Sequence, residues 1–576
     1  DMSGGTLISA GMLQIGQGGV TGTSGGGAIT NNAALVINRG DTMTLANAIS
    51  GPGSLTQAGA GAVGVSGSNT YSGVTLINSG TLFLQSSNAL GSTSSGTTVA
   101  AGGQLYITAN VNTAEGLTLN ATGPDGNGAL RKGGAGFSAV LGPVALASDT
   151  TISLDAGATL ALSNVVSGTA PLTLSGTGTL ALNTNNTYSG GTVLSGPIVN
   201  VNANRALGPG AVTVSGAGRF VIGAGVTVTN EFIANTISPG VATGLLMTGD
   251  NTNSAVATIS GPITLNTLAA NGGHFAGPTS SGYLNVAGPV AMPGVGGGYI
   301  LQVRLGNVRF SGVGSGYDSL EVRANTTSIG APNAITTTAT LDLAGNGSPT
   351  VPTYFDLNGF NQTLGGLKNV VGPANLGVVT NSSAAAATLT LDLPSGFETF
   401  SGHLAGNLSL VLNSGTQVIT GTNAYTGNTT VNGGVLQIAV PSLAAASTVV
   451  VTNGAFLQLD FPGTNQISAL VLNGVSQPAG VYNSTTRPLY LSGPGSLLVQ
   501  TVATNPTNIT AIVSGNQYQL GWPASHKGWR LEAQTNSLSV GLSSNWATVP
   551  GSTTTNQMFI PINPANGSVF FRLVYP

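Results

Sequence analysis

The stretch Asn69-Thr70-Tyr71-Ser72-Gly73, continued by VTLINSGTLFLQSSNALG to Gly91, decides the fold. From Thr75 to Leu84 two short β-prone runs flank the turn Asn78-Ser79-Gly80, and apolar and polar residues alternate within each run. A period of two turns one side of a strand inward and leaves the other wet, while Asn, Ser and Gly supply the turn conformations between strands. One strand–turn–strand unit has too little apolar surface to bury itself. It needs units of the same kind stacked above and below it.

Such units recur. Asn186-Thr187-Tyr188-Ser189-Gly190 is followed by GTVLSGPIVNVNANRALG to Gly208, and Asn423-Ala424-Tyr425-Thr426-Gly427 by NTTVNGGVLQIAVPSLA to Ala444. Tyr71 and Tyr188 lie 117 residues apart, and Tyr188 and Tyr425 lie 237 apart, close to twice that. A degenerate copy opens the chain at Met2-Ser3-Gly4-Gly5-Thr6 and runs on as LISAGMLQIG. Weaker relatives are ISGPGSLTQAG at 49–59, LTLSGTGTLAL at 172–182, ISGPITL at 259–265 and NLSLVLNSGTQVITG at 407–421, and Ser-Gly-Pro and Ser-Gly-Thr-Gly turns punctuate the chain at intervals near 20–25 residues. The pattern predicts an all-β, parallel β-solenoid over residues 1–500, with about 20 coils and a length on the order of 100 Å at about 4.8 Å per coil. A series of antiparallel sandwiches would require longer, aromatic-rich strands than this region contains.

Within the repeat, Tyr71, Tyr188 and Tyr425 and their partners Gly73, Gly190 and Gly427 read as structural corner residues. The Asn before each Tyr is a candidate for a hydrogen-bonded ladder between coils. Each Tyr is expected to cover the apolar side of its turn and to hold its hydroxyl in water. A sugar-binding aromatic platform is the weaker reading, because tyrosines so far apart make no continuous track.

Composition narrows the function. Thirteen Lys and Arg face sixteen Asp and Glu, a net charge of -3, and charged residues make up 5% of the 576. Solubility therefore rests on Ser, Thr, Asn and the backbone. The 89 glycines follow no Gly-X-Y period, which excludes collagen, and 41% hydrophobic content in alternating runs argues against disorder. Scattered cations cannot neutralise a run of phosphates, so nucleic acid is not an expected partner. No apolar stretch reaches the length of a transmembrane helix. The chain starts at Asp1 with no visible signal peptide, as expected of a processed, secreted product.

Catalysis needs converging groups, and few are in sight. There is no cysteine, and the three histidines, His274, His403 and His526, lie far apart. Asp149 with Asp155, and Asp356 with Asp392, are the candidate carboxylate pairs on adjacent coils. The small residues around them offer little to grip a sugar. The turn Gly123-Pro124-Asp125-Gly126-Asn127-Gly128 is rich in oxygen but lacks a calcium-binding repeat pattern. No enzyme activity, metal or cofactor is expected.

The composition changes near residue 501. ATNPTN at 503–508 reads as part of a linker spanning 501–508, and all three tryptophans, Trp522, Trp529 and Trp546, follow it. Strand-like runs at 509–513, 517–522, 528–533, 545–549, 557–562 and 568–574 predict a small immunoglobulin- or fibronectin-like β-sandwich over 509–576. So small a domain needs aromatic mass inside, so the tryptophans are first of all core candidates. An exposed one would contact glycan or a neighbouring subunit. His526 and Lys527 share a turn and carry no site by themselves.

The pattern Asn-Thr-Tyr-Ser-Gly-x-Thr-x-x-x-x-x-Gly-x-Leu resembles the autotransporter-associated β-strand repeat of large bacterial surface proteins. So does the segment Phe355-Asp356-Leu357-Asn358-Gly359-Phe360-Asn361-Gln362-Thr363-Leu364-Gly365-Gly366-Leu367, in which Asn358 and Gly359 hold the turn. The resemblance implies a right-handed parallel β-helix on the outside of the cell and no enzyme. Nothing after residue 500 resembles the membrane barrel of an autotransporter. The C-terminal stretch, from Tyr518-Gln519-Leu520-Gly521-Trp522-Pro523 through Gly528-Trp529-Arg530-Leu531-Glu532 to Val569-Phe570-Phe571-Arg572-Leu573, resembles an end module of secreted repeat proteins from Verrucomicrobia-type bacteria, which implies attachment or secretion.

The expected function is an extracellular structural rod or filament subunit. Its first coil enters mid-repeat at Met2 without a polar cap, so head-to-tail self-association into a filament is the leading expectation. The alternative is a cell-surface adhesin or stalk that binds polysaccharide through the solenoid face or the C-terminal domain.

Overall fold

The computed structural model describes residues 4–235, 246–248, 255–266, 274–279, 281–293, 298–323, 325–343, 351–369, 376–500 and 505–575. Met2 and residues 501–504 of the expected linker lie outside them. The chain divides into two compact units, Asp1–Ser383 and Ala384–Pro576.

The first unit is a parallel β-solenoid. Strand Ala34–Ile37 pairs with Met12–Ile15 of the coil before it and with Ser54–Gln57 of the coil after it, always in parallel. The quoted stretch forms the strand Thr75–Leu84, which pairs with Ser54–Gln57 and Ala62–Val65 on one side and Thr97–Ile107 on the other. A second face is a 12-stranded sheet from Asn112–Thr113 to Gly366–Lys368. Toward the end of the unit a third face runs from Thr227–Val228 to Gly377–Asn381. The offset between paired residues is 20 from Leu55 to Thr75 and 31 from Phe232 to Ile263, so coils vary by insertion in their turns while the strands keep register.

Register is what builds the core. Leu82, Leu105, Leu130, Ile152, Leu174, Leu194, Val214, Ala234 and Leu265 sit directly above one another on successive coils, and all are buried. Each buried aliphatic side chain in such a column contributes about 2 kcal/mol of apolar burial. The adjacent position carries a charge inward: Lys132, paired with Leu154, is fully buried. Its Nζ donates to the carbonyls of Gly133 at 2.6 Å and Gly134 at 3.3 Å, and burial lowers its pKa.

The second unit begins with the same grammar. Ala387–Phe400 and Leu408–Ile419 pair in parallel, and Thr429–Val431, Val435–Ile438, Thr448–Val451 and Phe456–Leu459 extend the stack. The stack then ends by a change of strand direction. At Asn473-Gly474, both with positive φ, the chain reverses so that Val475–Ser476 runs antiparallel to Ala469–Leu472. Gly480–Asn483 likewise runs antiparallel to Ser496–Val499. These reversals were absent from the expectation of uninterrupted parallel coils to residue 500. They occupy edges that a further parallel coil would need.

From Thr510 the sheets are antiparallel. Thr510–Ser514, Gln517–Gly521 and Gln557–Pro561 form one sheet; Ala547–Thr548, Arg530–Asn536 and Ser568–Val574 form the other. These strands coincide closely with the six runs read from the sequence, and the arrangement resembles a small sandwich. Leu520, Trp522 and Leu531 are its buried centre, with Tyr518, Met558, Ile560, Phe571 and Leu573 packed around them. Within the second unit the change of sheet type falls where the composition changes.

Candidate functional site

The three strong repeats share one corner. Tyr71, Tyr188 and Tyr425 are buried, and each hydroxyl meets the threonine four residues on: Thr75 at 2.6 Å, Thr192 at 2.7 Å and Thr429 at 2.6 Å. The expected water-facing hydroxyl is corrected by this geometry: a buried phenol needs a partner, and the Thr supplies it inside the coil. Burial also raises the pKa of all three, that of Tyr425 to about 12. The signal was in the sequence, since the same spacing places Thr after Tyr in every copy.

The asparagine two residues before each Tyr is the between-coil bond. Asn69 Oδ1 accepts from the Ile49 N–H at 2.9 Å in the preceding coil, and Nδ2 donates to the Ala89 carbonyl at 2.7 Å in the following one. Asn186 does the same with Val166 and Ala206, and Asn423 with Leu404 and Ser442 Oγ. Glycine at the corner is a matter of clearance. A Cβ on Gly73, Gly190 or Gly427 would lie 2.3–2.4 Å from backbone atoms of the coil beneath. Asn358 and Gly359 serve differently: both have positive φ, and Asp356 Oδ1 and Asn381 Oδ1 accept their backbone N–H groups.

Ionisable groups are few and mostly tied to one another. Asp155 binds Arg131 Nε at 3.1 Å and accepts from the Tyr106 hydroxyl at 3.0 Å, while Asp125 reaches Arg131 at 3.4 Å and holds Asn127 and Gln104. Arg131 lies over the Tyr106 ring, 4.6 Å from its centroid. The oxygen-rich turn at 123–128 is therefore already satisfied by protein donors. Asp356 accepts from Ser382 N and Oγ, and Asp392 from Ser414 Oγ. Glu115 is held differently. It is buried, with Thr97 Oγ1 at 3.4 Å, and burial pushes its pKa up to about 7.

In the C-terminal sheets Trp522 and Trp529 are buried, which removes them from the candidate surface contacts. Trp529 packs against the His526 ring at a tilt and edge-to-face against Tyr575. Trp546 is half-buried beneath Arg572, whose guanidinium lies 4.3 Å from the ring centroid. Glu532 receives Arg530 at 2.9 Å and Arg572 at 2.7 Å, and the hydrogen bond from Arg572 is the main reason its pKa is lowered. Of the histidines, His403 Nδ1 contacts the Thr422 carbonyl and His526 Nε2 the Asn505 carbonyl. Among the described residues no three His, Cys, Asp or Glu gather in a way that could hold a metal ion. No helix there is long and apolar enough to cross a membrane, a statement that leaves β-barrels untouched.

Residues 55–84, 172–196 and 412–438 match the passenger-associated-transport-repeat family, and each segment contains one Tyr–Thr corner. A 105-residue stretch, 18% of the chain, is 38% identical to the adhesin BmaC autotransporter of Brucella suis biovar 1 (strain 1330) and covers 3% of that much longer protein. No solved structure matches significantly. The chain is thus a β-solenoid protein that carries passenger-associated-transport repeats and has distant similarity to an autotransporter adhesin.

Proposed function

We propose that this chain is an extracellular, non-catalytic structural protein that serves adhesion at a bacterial surface. The observation that carries the reading is the content of the recurrent corner: the residues shared by all three strong repeats bind neighbouring coils to one another, and their Tyr and Thr hydroxyls are buried against each other. The similarity to an adhesin supports the adhesive role, and the repeat family supports a surface or secreted location. The test is retention of the labelled full chain on glycan-coated and protein-coated surfaces under flow. Retention on at least one surface is expected; complete wash-off from all of them overturns the reading.

A second reading, head-to-tail self-association into a filament, is favoured by the strand Thr510–Ser514. It is exposed along its whole length, carries no charge and no proline, and among the described residues pairs only with Gln517–Gly521. Unprotected edges of this kind template association. Sedimentation and electron microscopy over a concentration series decide it: filaments that lengthen with concentration are expected, and single particles at every concentration sink it.

A further inference from the structure

We propose that a crevice in the second unit binds acidic oligosaccharides, with Lys527 as the contact for the sugar carboxylate. This assignment rests on the adhesive reading above and names its ligand class. The crevice encloses about 760 Å³, within the range of sites that take small ligands. Its lining includes Leu498 and Gln500 from the end of the coil array, Gln466 from the strand paired alongside, and Ser525, Lys527 and Asn556 from the C-terminal region.

The chemistry of that lining selects the ligand. Gln466, Gln500 and Asn556 bring amides that both donate and accept, and Ser525 adds a hydroxyl; sugar hydroxyls need such two-way partners. Leu498 offers an aliphatic surface to the C–H face of a ring. The Asn556 amide donates its Nδ2 hydrogen to the Trp522 carbonyl at 3.0 Å, and its Oδ1 has no donor among the described residues. Lys527 supplies the charge. It is half-buried and, among the described residues, pairs with no carboxylate, whereas its neighbours Arg530 and Arg572 are both committed to Glu532. A neutral glycan would leave that ammonium unanswered.

The turn that carries Lys527 is fixed before any ligand arrives. The Lys527 N–H donates to the Ala524 carbonyl at 3.1 Å, the adjacent His526 ring holds the Asn505 carbonyl at 2.8 Å, and that ring packs on Trp529. A pre-set turn spares the backbone ordering cost that a mobile loop would add on binding.

The test uses the full chain and trigalacturonate as the probe, followed by calorimetry and by intrinsic tryptophan fluorescence. Trigalacturonate is expected to bind saturably, and cellotriose about tenfold more weakly or not at all. Lys527→Gln is expected to lose about tenfold in trigalacturonate affinity at an unchanged melting temperature, and Gln466→Ala a smaller factor. The proposal is overturned by no saturable binding, by unchanged affinity in Lys527→Gln, or by triglutamate binding as tightly as the sugar. Retention under flow without trigalacturonate binding removes this site and leaves adhesion standing. Trigalacturonate binding without retention keeps the site and removes the adhesive role.

Discussion

The coils and the C-terminal sheets solve the same problem, a chain with almost no charge and no disulfide, by opposite means. In the coils stability is distributed. Every coil repeats a column of aliphatic side chains and each strong corner repeats one Asn, one Tyr and one Thr. In the C-terminal region stability is concentrated in one aromatic centre around Trp522 and one ion triad at Glu532. Parallel stacking allows the first solution, because each coil needs only its neighbours. A stretch of about 70 residues must rely on the second, since its surface is large for its volume.

The largest expected effect tests whether the two solutions are separable. Tyr188→Ala opens a cavity in the coil and orphans Thr192, at a cost of about 3–5 kcal/mol, and Trp522→Ala costs the C-terminal centre a similar amount. By hydrogen exchange, Tyr188→Ala should deprotect the coils between residues 166 and 214 while Thr510–Val574 keeps its protection, and Trp522→Ala should do the reverse. Loss of protection in both regions from either substitution would mean that they unfold as one.

A smaller effect probes the bond between coils. Asn186→Ala leaves the Val166 N–H and the Ala206 carbonyl without their side-chain partner, at about 1–3 kcal/mol. Exchange at the Val166 amide should rise more than exchange elsewhere in its own strand. Equal exchange in variant and parent would reduce the corner asparagine to a spacer.

The last effect depends on pH. Folding raises the Glu115 pKa from an ordinary 4.5 to about 7, because burial disfavours the carboxylate. The fold therefore prefers the protonated acid, and the stability it contributes is complete below 4.5 and lost as the pH rises through 7. Glu115→Gln stays neutral throughout. It should melt above the parent at pH 8 and together with it at pH 4.5; a gap that widens on acidification would contradict the sign.

Much of this was legible from the sequence because strands of period two, Gly-punctuated turns and recurrent motifs all act locally. The six C-terminal strands fell where the alternation placed them, and NTYSG marked the corner. What the sequence hid is direction and depth. Nothing in Tyr71 says that its hydroxyl turns inward; that follows only when Thr75, four residues on, closes over it. Arg131-Lys132 reads as a basic pair, yet adjacent residues on a strand face opposite sides, so one joins Asp155 outside and the other is buried. The reversal at Asn473-Gly474 has a local hairpin signal that the surrounding parallel pattern masked. The Lys527 crevice draws on residues 61 positions apart, from Gln466 to Lys527, and no local pattern links them.

The corner asparagine has a mechanical consequence. Because Asn69 grips Ile49 on one side and Ala89 on the other, its side chain overlaps the seam below and the seam above, as bricks laid in running bond overlap the joints of adjacent courses. Under load, a crack between two such coils meets a tie that also belongs to the next seam. The force needed to advance it should rise at every asparagine corner, giving a sawtooth of discrete peaks where a plain stack of sheets would peel smoothly.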